Sequence, residues 1–201
     1  MLYLVIIKMI KTIIFDWGGV LAPADTEIAA KQLSDKFGCD YSKLKEKIKK
    51  YEKENSESSN DSMFLNKIKS EFGIPEEEIM KALTEIHAWE GFEIAKSLIG
   101  KFKLCILSDQ MQFKADYIKK NNDLSFFDIV LFSSEIGAQK PSEKAFQIML
   151  EKLEEAPEEC LFIDDREVNV KTAQGLGINV IHCEDIDLLK EQLNEVLKNN
   201  S

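Results

Sequence analysis

The sequence contains few of the residues that build histidine-based catalytic sites and zinc sites. Its 201 residues include only two histidines and four cysteines, and no two cysteines form a C-x-x-C pair. A histidine-dependent triad and a zinc site with several histidine ligands are therefore nearly excluded. Cys105 and Cys160 lie inside apolar runs, which is typical of reduced thiols in a protein core. We therefore expect a cytoplasmic protein.

Positive charge is also in short supply. The chain has 26 lysines and arginines against 36 aspartates and glutamates, which gives a formal net charge of -10. This balance argues against a nucleic-acid partner, because no basic field offsets the repulsion between the chain and phosphate groups. A small anionic substrate would need a bound metal ion or one particular lysine.

The sequence has no apolar run long enough to span a membrane. The strongest candidate is the opening MLYLVIIKMIK, which Lys8 interrupts and which has no basic start and no small-residue cleavage site. A membrane span needs about 20 apolar residues, and a signal peptide needs a core of about 7–15. Residues 1–8 either extend the first strand or do not belong to the native protein, since a start at Met9 would also give a complete strand.

Continuous apolar character is confined to short runs, which predict buried strands. Runs that are apolar throughout, rather than in alternation, are typical of parallel strands covered on both faces. After residue 90 these runs alternate with helix-like stretches. This alternation predicts an α/β fold with a doubly wound, Rossmann-like parallel sheet. The five predicted strands are 12–16, 102–109, 127–134, 160–165 and 178–183.

The segment between residues 22 and 90 breaks this alternation, since it contains only helical patterns. We expect a helical cap subdomain at 22–90, inserted after the first strand of a core built from residues 1–21 and 91–201. Pro75 is expected to open the last helix of the insertion. The lysine-rich stretch at 43–54 is expected to form a solvated helix face with opposite charges four residues apart.

Polar side chains lie at the ends of the predicted strands or just after them. Asp16 and Ser108 lie at the ends of the first and second strands, Lys140 follows the third, and Asp164 and Asp165 end the fourth. Each residue alone has a plainer explanation, as a helix cap, a turn former or a surface lysine. The carboxyl ends of parallel strands line the ligand crevice of an open sheet, so we expect these side chains to converge.

These residue types together suit phosphoryl transfer. A carboxylate can attack phosphorus to form an aspartyl-phosphate, which water then hydrolyses. A hydroxyl group can hold a phosphoryl oxygen, and a fixed lysine can neutralise charge. Two adjacent carboxylates suit Mg²⁺, which prefers oxygen ligands. Gly18 and Gly19 have no Cβ atom, so the backbone can closely approach the phosphate and the metal there.

Four motifs carry a resemblance to a known family. FDWGGVL, ILSD, GAQKP and FIDDREVNVKTAQGLG occur in this order between residues 11 and 183. The set resembles the four motifs of the haloacid dehalogenase superfamily of phosphotransferases and hydrolases. The helices that follow the first motif resemble the small helical cap of C1 type in that family, which closes over the site and selects the substrate.

The resemblance implies a role for each site residue. Asp16 would be the catalytic nucleophile, with Ser108 and Lys140 as its phosphoryl-binding partners. Asp109 and Gly19 would complete the substrate-binding set. Mg²⁺ would be the cofactor, and its ligands would be Asp16, Asp164, Asp165 and the main-chain carbonyl of Gly18.

Gly18 departs from the pattern of the family. Its phosphatases usually carry a second aspartate at this position, which acts as general acid and base. The glycine leaves the backbone ligand in place but removes a proton donor, whose help is worth about 10²–10⁴-fold in rate. Substrates whose leaving group departs without protonation, such as anomeric sugar phosphates or acyl phosphates, would then be favoured. Asp25 and Asp109 are candidate replacements for the missing donor.

The predicted function is a Mg²⁺-dependent phosphatase for a small phosphorylated metabolite, with a sugar phosphate as one candidate. One alternative is a regulatory or non-catalytic binding protein that kept the fold after losing the general acid and base. Another is a metal-independent 2-haloacid dehalogenase, although two adjacent acids would repel the carboxylate of its substrate. We expect no nucleic-acid or membrane partner, and the sequence does not indicate an oligomeric state.

Overall fold

A parallel β-sheet forms the centre of the protein. The computed structural model describes residues 9–85 and 90–198. Within these residues the strands are β1 (Thr12–Phe15), β2 (Lys103–Ser108), β3 (Ile129–Phe132), β4 (Cys160–Asp164) and β5 (Asn179–His182). They lie in the order β3-β2-β1-β4-β5, and every neighbouring pair is parallel. The predicted α/β fold with a doubly wound parallel sheet is confirmed.

Between β1 and β2 the chain forms the helical insertion, defined here as residues 25–84. Its apolar side chains form a cluster of their own, to which the rest of the chain contributes Met111 and, partly buried, Phe113. A polar loop at 56–61 separates two of its helices, and Pro75 precedes the last one, as expected. That residues 22–90 form a separate cap subdomain stays a prediction. The helices are α1 (Asp25–Phe37), α2 (Tyr41–Asn55), α3 (Ser62–Phe72) and α4 (Glu76–Thr84).

The helices after the insertion cover both faces of the sheet. Ile13 and Phe15 of β1 belong to an apolar cluster on one face, whereas Ile14 belongs to a cluster on the other. This alternation follows from the two-residue period of a strand. Burying each such side chain contributes about 1.5–3 kcal/mol. The helices are α5 (Glu90–Lys96), α6 (Gln112–Asn121), α7 (Ser133–Ile136), α8 (Glu143–Leu153), α9 (Glu167–Gly175) and α10 (Ile186–Leu197).

Two local predictions differ from the structure. The strand expected at 127–134 is shorter, because Ser133 already begins the short helix α7. The lysine-rich stretch forms most of α2, but its ion pairs run to other helices, such as the one between Lys47 and Glu71 at 3.4 Å. Glu52 of the same stretch is largely buried, with its side chain only 18% exposed. Neighbouring helices pack around Glu52, and the sequence of α2 alone does not reveal this burial.

Several expectations concern the remainder of the chain. Residues 1–8 lie outside the described residues, so the expectations for this segment are not tested. Among the residues that the structure describes, no helix is long and apolar enough to cross a membrane. All four cysteines are free, and Cys105 and Cys160 are buried as predicted.

Candidate active site

Three neighbouring strands deliver the predicted site residues to one edge of the sheet. Asp16 directly follows β1, Ser108 is the last residue of β2, and Asp164 is the last residue of β4. Because β1 lies between β2 and β4 and all three are parallel, their carboxyl ends meet at this edge. Lys140 reaches the same place from the segment between α7 and α8. The predicted convergence is therefore observed.

Lys140 is the electrostatic centre of the cluster. Its side chain is 1% exposed, and its Nζ lies 3.0 Å from Oδ1 of Asp16 and 2.6 Å from Oδ2 of Asp164. Burial acts to lower the pKa of Lys140, but the two carboxylates and Asp109 raise it above its ordinary value. The ammonium group therefore stays charged and can neutralise negative charge in the site.

Asp16 has the environment of a reactive carboxylate. It is 7% exposed, and its Oδ1 accepts a hydrogen bond of 2.7 Å from the backbone N–H of Trp17. Burial raises the pKa of Asp16 to about 7, although Lys140 and the hydroxyl group of Ser108 act in the opposite direction. A cation placed against this carboxylate would favour its ionised form, which is the nucleophilic one.

Three carboxylates in the cluster fit a divalent cation. Asp16, Asp164 and Asp165 each offer an oxygen atom, and these atoms lie within 4.8 Å of one another. Three carboxylates around one lysine leave an excess of negative charge, and an all-oxygen donor set suits Mg²⁺. The residues therefore fit the predicted metal. A role for the Gly18 carbonyl as a further ligand stays a prediction.

The two glycines after the nucleophile occupy different surroundings. Gly19 has a φ of +78°, and a Cβ at this position would lie 2.6 Å from Cγ and Oδ2 of Asp165. Only glycine allows Asp165 to approach the loop this closely. Gly18 has no such constraint, since a Cβ there would meet no atom within 4 Å. Space for a side chain therefore exists at Gly18.

Sequence reasoning missed the residues that hold the acid pair in place. Nδ2 of Asn169, in α9, donates to both oxygens of Asp164 at 3.0 Å. The backbone N–H of Arg166 donates to Oδ1 of Asp164 at 2.8 Å. Nε2 of His182 lies 3.0 Å from the carbonyl oxygen of Asp165. The only sequence signal for Asn169 is its place within the fourth motif, one helical turn beyond the acid pair.

Two residues after β2 extend the site around Ser108. Oδ1 of Asp109 accepts a hydrogen bond of 2.9 Å from the backbone N–H of Lys140. Burial raises the pKa of Asp109 above its ordinary value. Nε2 of Gln110 donates to Oγ of Ser108 at 3.2 Å. Sequence reasoning had placed Asp109 in the substrate-binding set but had not considered Gln110.

Asp25 does not join this cluster. Its carboxylate forms an ion pair with Lys114 of α6, in a second group of charges that also includes Glu52. That Asp25 could replace the missing proton donor stays a prediction, and the ion pair with Lys114 would compete with this role. Asp109 lies at the site, so it is the better placed of the two candidates.

Comparison with solved structures supports the same picture of the fold. The magnesium complex of the HAD family enzyme bt-2542 from Bacteroides thetaiotaomicron is similar with a TM-score of 0.71 and 25% identity, covering 87% of this chain and 93% of that chain. The L-2-haloacid dehalogenase of Xanthobacter autotrophicus, with chloropropionic acid covalently bound, has a TM-score of 0.68 and 17% identity, covering 86% and 76%. The second likeness shows the fold alone.

Sequence comparison identifies the family. A phosphorylated carbohydrates phosphatase of Thermotoga maritima is 28% identical over 94 residues, which are 46% of this chain and 43% of that protein. The chain spans less than half the length of this and two further curated relatives. The family model for haloacid dehalogenase-like hydrolases matches residues 10–177. Because this match covers most of the chain and includes the whole acid cluster, the protein belongs to the haloacid dehalogenase-like hydrolase family.

Proposed function

We propose that the protein is a Mg²⁺-dependent phosphatase that hydrolyses a small phosphorylated metabolite through an aspartyl-phosphate on Asp16. The observation that carries the proposal is the position of Lys140 between Asp16 and Asp164, beside which Asp165 adds a third carboxylate. Such a cluster favours a cofactor that brings positive charge and a substrate that brings phosphoryl oxygens.

Asp16 acts as the nucleophile in the proposed reaction. Its carboxylate attacks phosphorus, the bond from phosphorus to the leaving-group oxygen breaks, and the leaving group departs with the electron pair. Lys140 and Ser108 hold phosphoryl oxygens during this transfer. Water then attacks the phosphorus of the aspartyl-phosphate, releases inorganic phosphate and gives its surplus proton to the solvent, which restores the carboxylate.

The proposed metal ligands are Asp16, Asp164, Asp165 and the Gly18 carbonyl. When bound, Mg²⁺ would supply positive charge that keeps Asp16 ionised and stabilises charge on the phosphoryl group. Asn169 and the backbone of Arg166 orient Asp164 for this role. The magnesium complex of the Bacteroides enzyme, at 25% identity, supports the choice of metal.

Gly18 supports a preference for leaving groups that need no proton. The open space at Gly18 leaves room for the leaving group, and the proton donor usual at this position in related phosphatases is absent. We therefore expect anomeric sugar phosphates and acyl phosphates to react faster than phosphates of simple alcohols. The Thermotoga relative, which is named for phosphorylated carbohydrates, supports a sugar phosphate as the substrate.

The dehalogenase alternative has weaker support. The likeness of this chain to a solved dehalogenase concerns the fold, and proteins with many different activities share that fold. Asp165 adds a carboxylate beside the nucleophile, and in the absence of a cation it would repel the carboxylate of a haloacid. A non-catalytic binding protein is the other alternative, and it would bind phosphate without releasing product repeatedly.

We further propose a cytoplasmic location with a small phosphorylated molecule as the partner. The four free cysteines support a reducing compartment. The net charge of -10 agrees with a partner that a metal ion and one lysine recognise locally, since the chain offers no general basic field for nucleic acid.

Phosphate release from aryl, acyl and sugar 1-phosphates tests the proposal, with Mg²⁺ or with EDTA in matched reactions. We expect many turnovers with Mg²⁺, none after exhaustive chelation, and a raised Mg²⁺ requirement in Asp165→Asn. Turnover of a haloacid that chelation leaves unchanged would overturn the proposal in favour of a dehalogenase. Phosphate binding without turnover of any ester would overturn it in favour of a binding protein.

A further inference from the structure

A second buried lysine lies where the helical insertion meets the sheet-forming part of the chain. Lys114 of α6 has a side chain that is 8% exposed, and it forms ion pairs with Asp25 of α1 and, at 3.2 Å, with Glu52 of α2. Oγ1 of Thr26 donates to the other oxygen of Glu52 at 2.9 Å. The lysine therefore joins two helices of the insertion to one helix outside it.

The same turn of α6 carries another attachment to the insertion. The backbone N–H groups of Gln112 and Phe113 donate to the carboxylate of Asp61 at 3.2 and 2.8 Å. The first N–H groups of a helix have no partner inside that helix. The N–H groups of Gln112 and Phe113 instead bond to Asp61, which lies just before α3 in the insertion. Loss of these hydrogen bonds would therefore show that the insertion has moved away from α6.

The Lys114 group also lies beside the turn that carries the nucleophile. A cavity of about 20 Å³ between the two parts of the chain is lined by Trp17, Pro23, Asp25 and Lys114, among others. Trp17 follows the nucleophile, and its N–H bonds to Asp16. On the other side, α6 begins four residues after Ser108. Lys114 therefore lies near the chain segments that carry Asp16 and Ser108.

An ionic contact at this place has a different effect from an apolar one. An apolar contact alone specifies orientation less strictly than a contact between charges, because the hydrophobic effect has no direction. A buried lysine between two carboxylates is satisfied in one geometry only, since moving it away leaves desolvated charge unpaired. The contact therefore selects one position of the insertion among those that its apolar surface would allow.

We propose that Lys114 is a positioning residue, which, through Asp25 and Glu52, fixes the helical insertion in one orientation over the Asp16–Ser108 site. The orientation sets the distance between the insertion and the phosphoryl site, so it governs how a substrate is enclosed. The inference rests on the proposed phosphatase function only where turnover is measured, and the docking itself can be tested without a substrate.

Amide hydrogen exchange is the first test, with Lys114→Met compared with Lys114→Arg and a control, Lys119→Met. Lys119 lies on the same helix, but its pair with Glu135 is exposed, with the lysine side chain 43% exposed. In Lys114→Met we expect exchange at Gln112 and Phe113 to rise at least about tenfold, since local opening releases their bonds. The control should match the wild type, and Lys114→Arg should retain much of the protection.

Kinetics with a Mg²⁺-activated phosphate ester is the second test. We expect Lys114→Met to raise KM about tenfold and to lower kcat, while the Mg²⁺ concentration for half activation stays unchanged. A merely structural role would lower the melting temperature and the folded fraction without changing KM. If the wild type turns over no phosphate ester, the proposed function fails, and the exchange experiment still decides the role of Lys114.

A folded Lys114→Met protein with wild-type exchange at Gln112 and Phe113 would overturn the inference. Should this variant fail to fold, a triple variant with Lys114→Met, Asp25→Asn and Glu52→Gln removes the charges together and leaves side chains of similar size. The same faster exchange is expected in the triple variant. Wild-type protection there would equally overturn the inference.

Discussion

Lys140 and Lys114 are both buried, and each contacts two carboxylates, yet their surroundings differ. Lys140 lies with Asp16 and Asp164, and Asp165 adds a further carboxylate within the same cluster. Lys114 lies between Asp25 and Glu52 at the base of the helical insertion, where a hydroxyl group completes the hydrogen bonds of Glu52.

A buried ion pair alone therefore does not identify an active site. The Lys140 cluster holds more carboxylate oxygens than its lysine can satisfy, and beside it lies the open space at Gly18. The Lys114 group joins three helices and fills the junction between them. Unneutralised carboxylates next to open space favour a catalytic role for the Lys140 cluster. Charges that are paired between helices favour a positioning role for the Lys114 group.

Of the two lysine substitutions, Lys140→Met should have the larger effect on turnover. The methionine has a similar length but cannot neutralise phosphoryl charge, and removal of one such group typically costs about 10²–10³-fold in kcat. Steady-state kinetics with an aryl phosphate would measure the loss. Lys119→Met, which removes an exposed pair, is the control. Lys114→Met should lose much less kcat than Lys140→Met, and equal losses in the two variants would contradict the comparison.

Lys114→Met should have the larger effect on the stability of the insertion. Breaking a fully buried pair costs about 3–5 kcal/mol, and we expect about 2 kcal/mol here because both carboxylates are partly exposed. Urea denaturation would measure the loss, with Lys119→Met expected to change the unfolding free energy by less than about 0.5 kcal/mol. A loss no larger than that of the control would show that the group does not hold the helices together.

The stability deficit of Lys114→Met should grow as the pH rises. Burial raises the pKa of Glu52, and Lys114 is the main influence that lowers it. The stabilising contribution of an acid whose pKa is raised in the folded state is fully present below its unfolded pKa of about 4.3 and is lost as the pH rises through its folded pKa. Without Lys114 the pKa of Glu52 in the folded state rises further, so more stability is lost as the pH increases. Denaturation at about pH 4.5 and pH 8 would reveal the trend, and an equal deficit at both would contradict it.

Gly18→Asp should have the smallest effect on the fold and a selective effect on turnover. The added side chain enters open space, and Gly18 does not adopt a left-handed backbone conformation. An added proton donor should raise kcat/KM for an alkyl phosphate by about 10²-fold, the low end for general acid catalysis, and should hardly change it for an aryl phosphate. If the ratio of kcat/KM for the alkyl phosphate to that for the aryl phosphate is the same in both proteins, another group already donates the proton. Asp109 would then be the first residue to mutate.

Much of the sheet and the Lys140 cluster could be predicted from the sequence because both depend on local patterns. Continuous apolar runs mark strands that are buried on both faces, and the polar residues that follow them must meet at one edge of a parallel sheet. The convergence of Asp16, Ser108 and Asp164 could therefore be predicted without knowing how the side chains pack.

The Lys114 group could not be predicted in the same way. Its members lie on three helices, and Lys114 is separated by 62 residues from Glu52. Within its own helix Glu52 belongs to a lysine-rich stretch that is typical of a solvated face. Only the packing of α1 and α2 against α6 brings the charges together, and a helical pattern does not specify its partner.

The central claim, transfer of a phosphoryl group to Asp16, is most directly tested by trapping the intermediate. Wild type and Asp16→Asn would be mixed with an acyl phosphate and Mg²⁺, quenched in acid and analysed by peptide mass spectrometry. The asparagine is nearly isosteric, and Lys140 keeps its contact with Asp164 at 2.6 Å, so the variant should stay folded. The account predicts a phosphoryl group on Asp16 in the wild type, and neither label nor turnover in the variant. Undiminished turnover by folded Asp16→Asn, or a phosphoryl group on another residue, would contradict it.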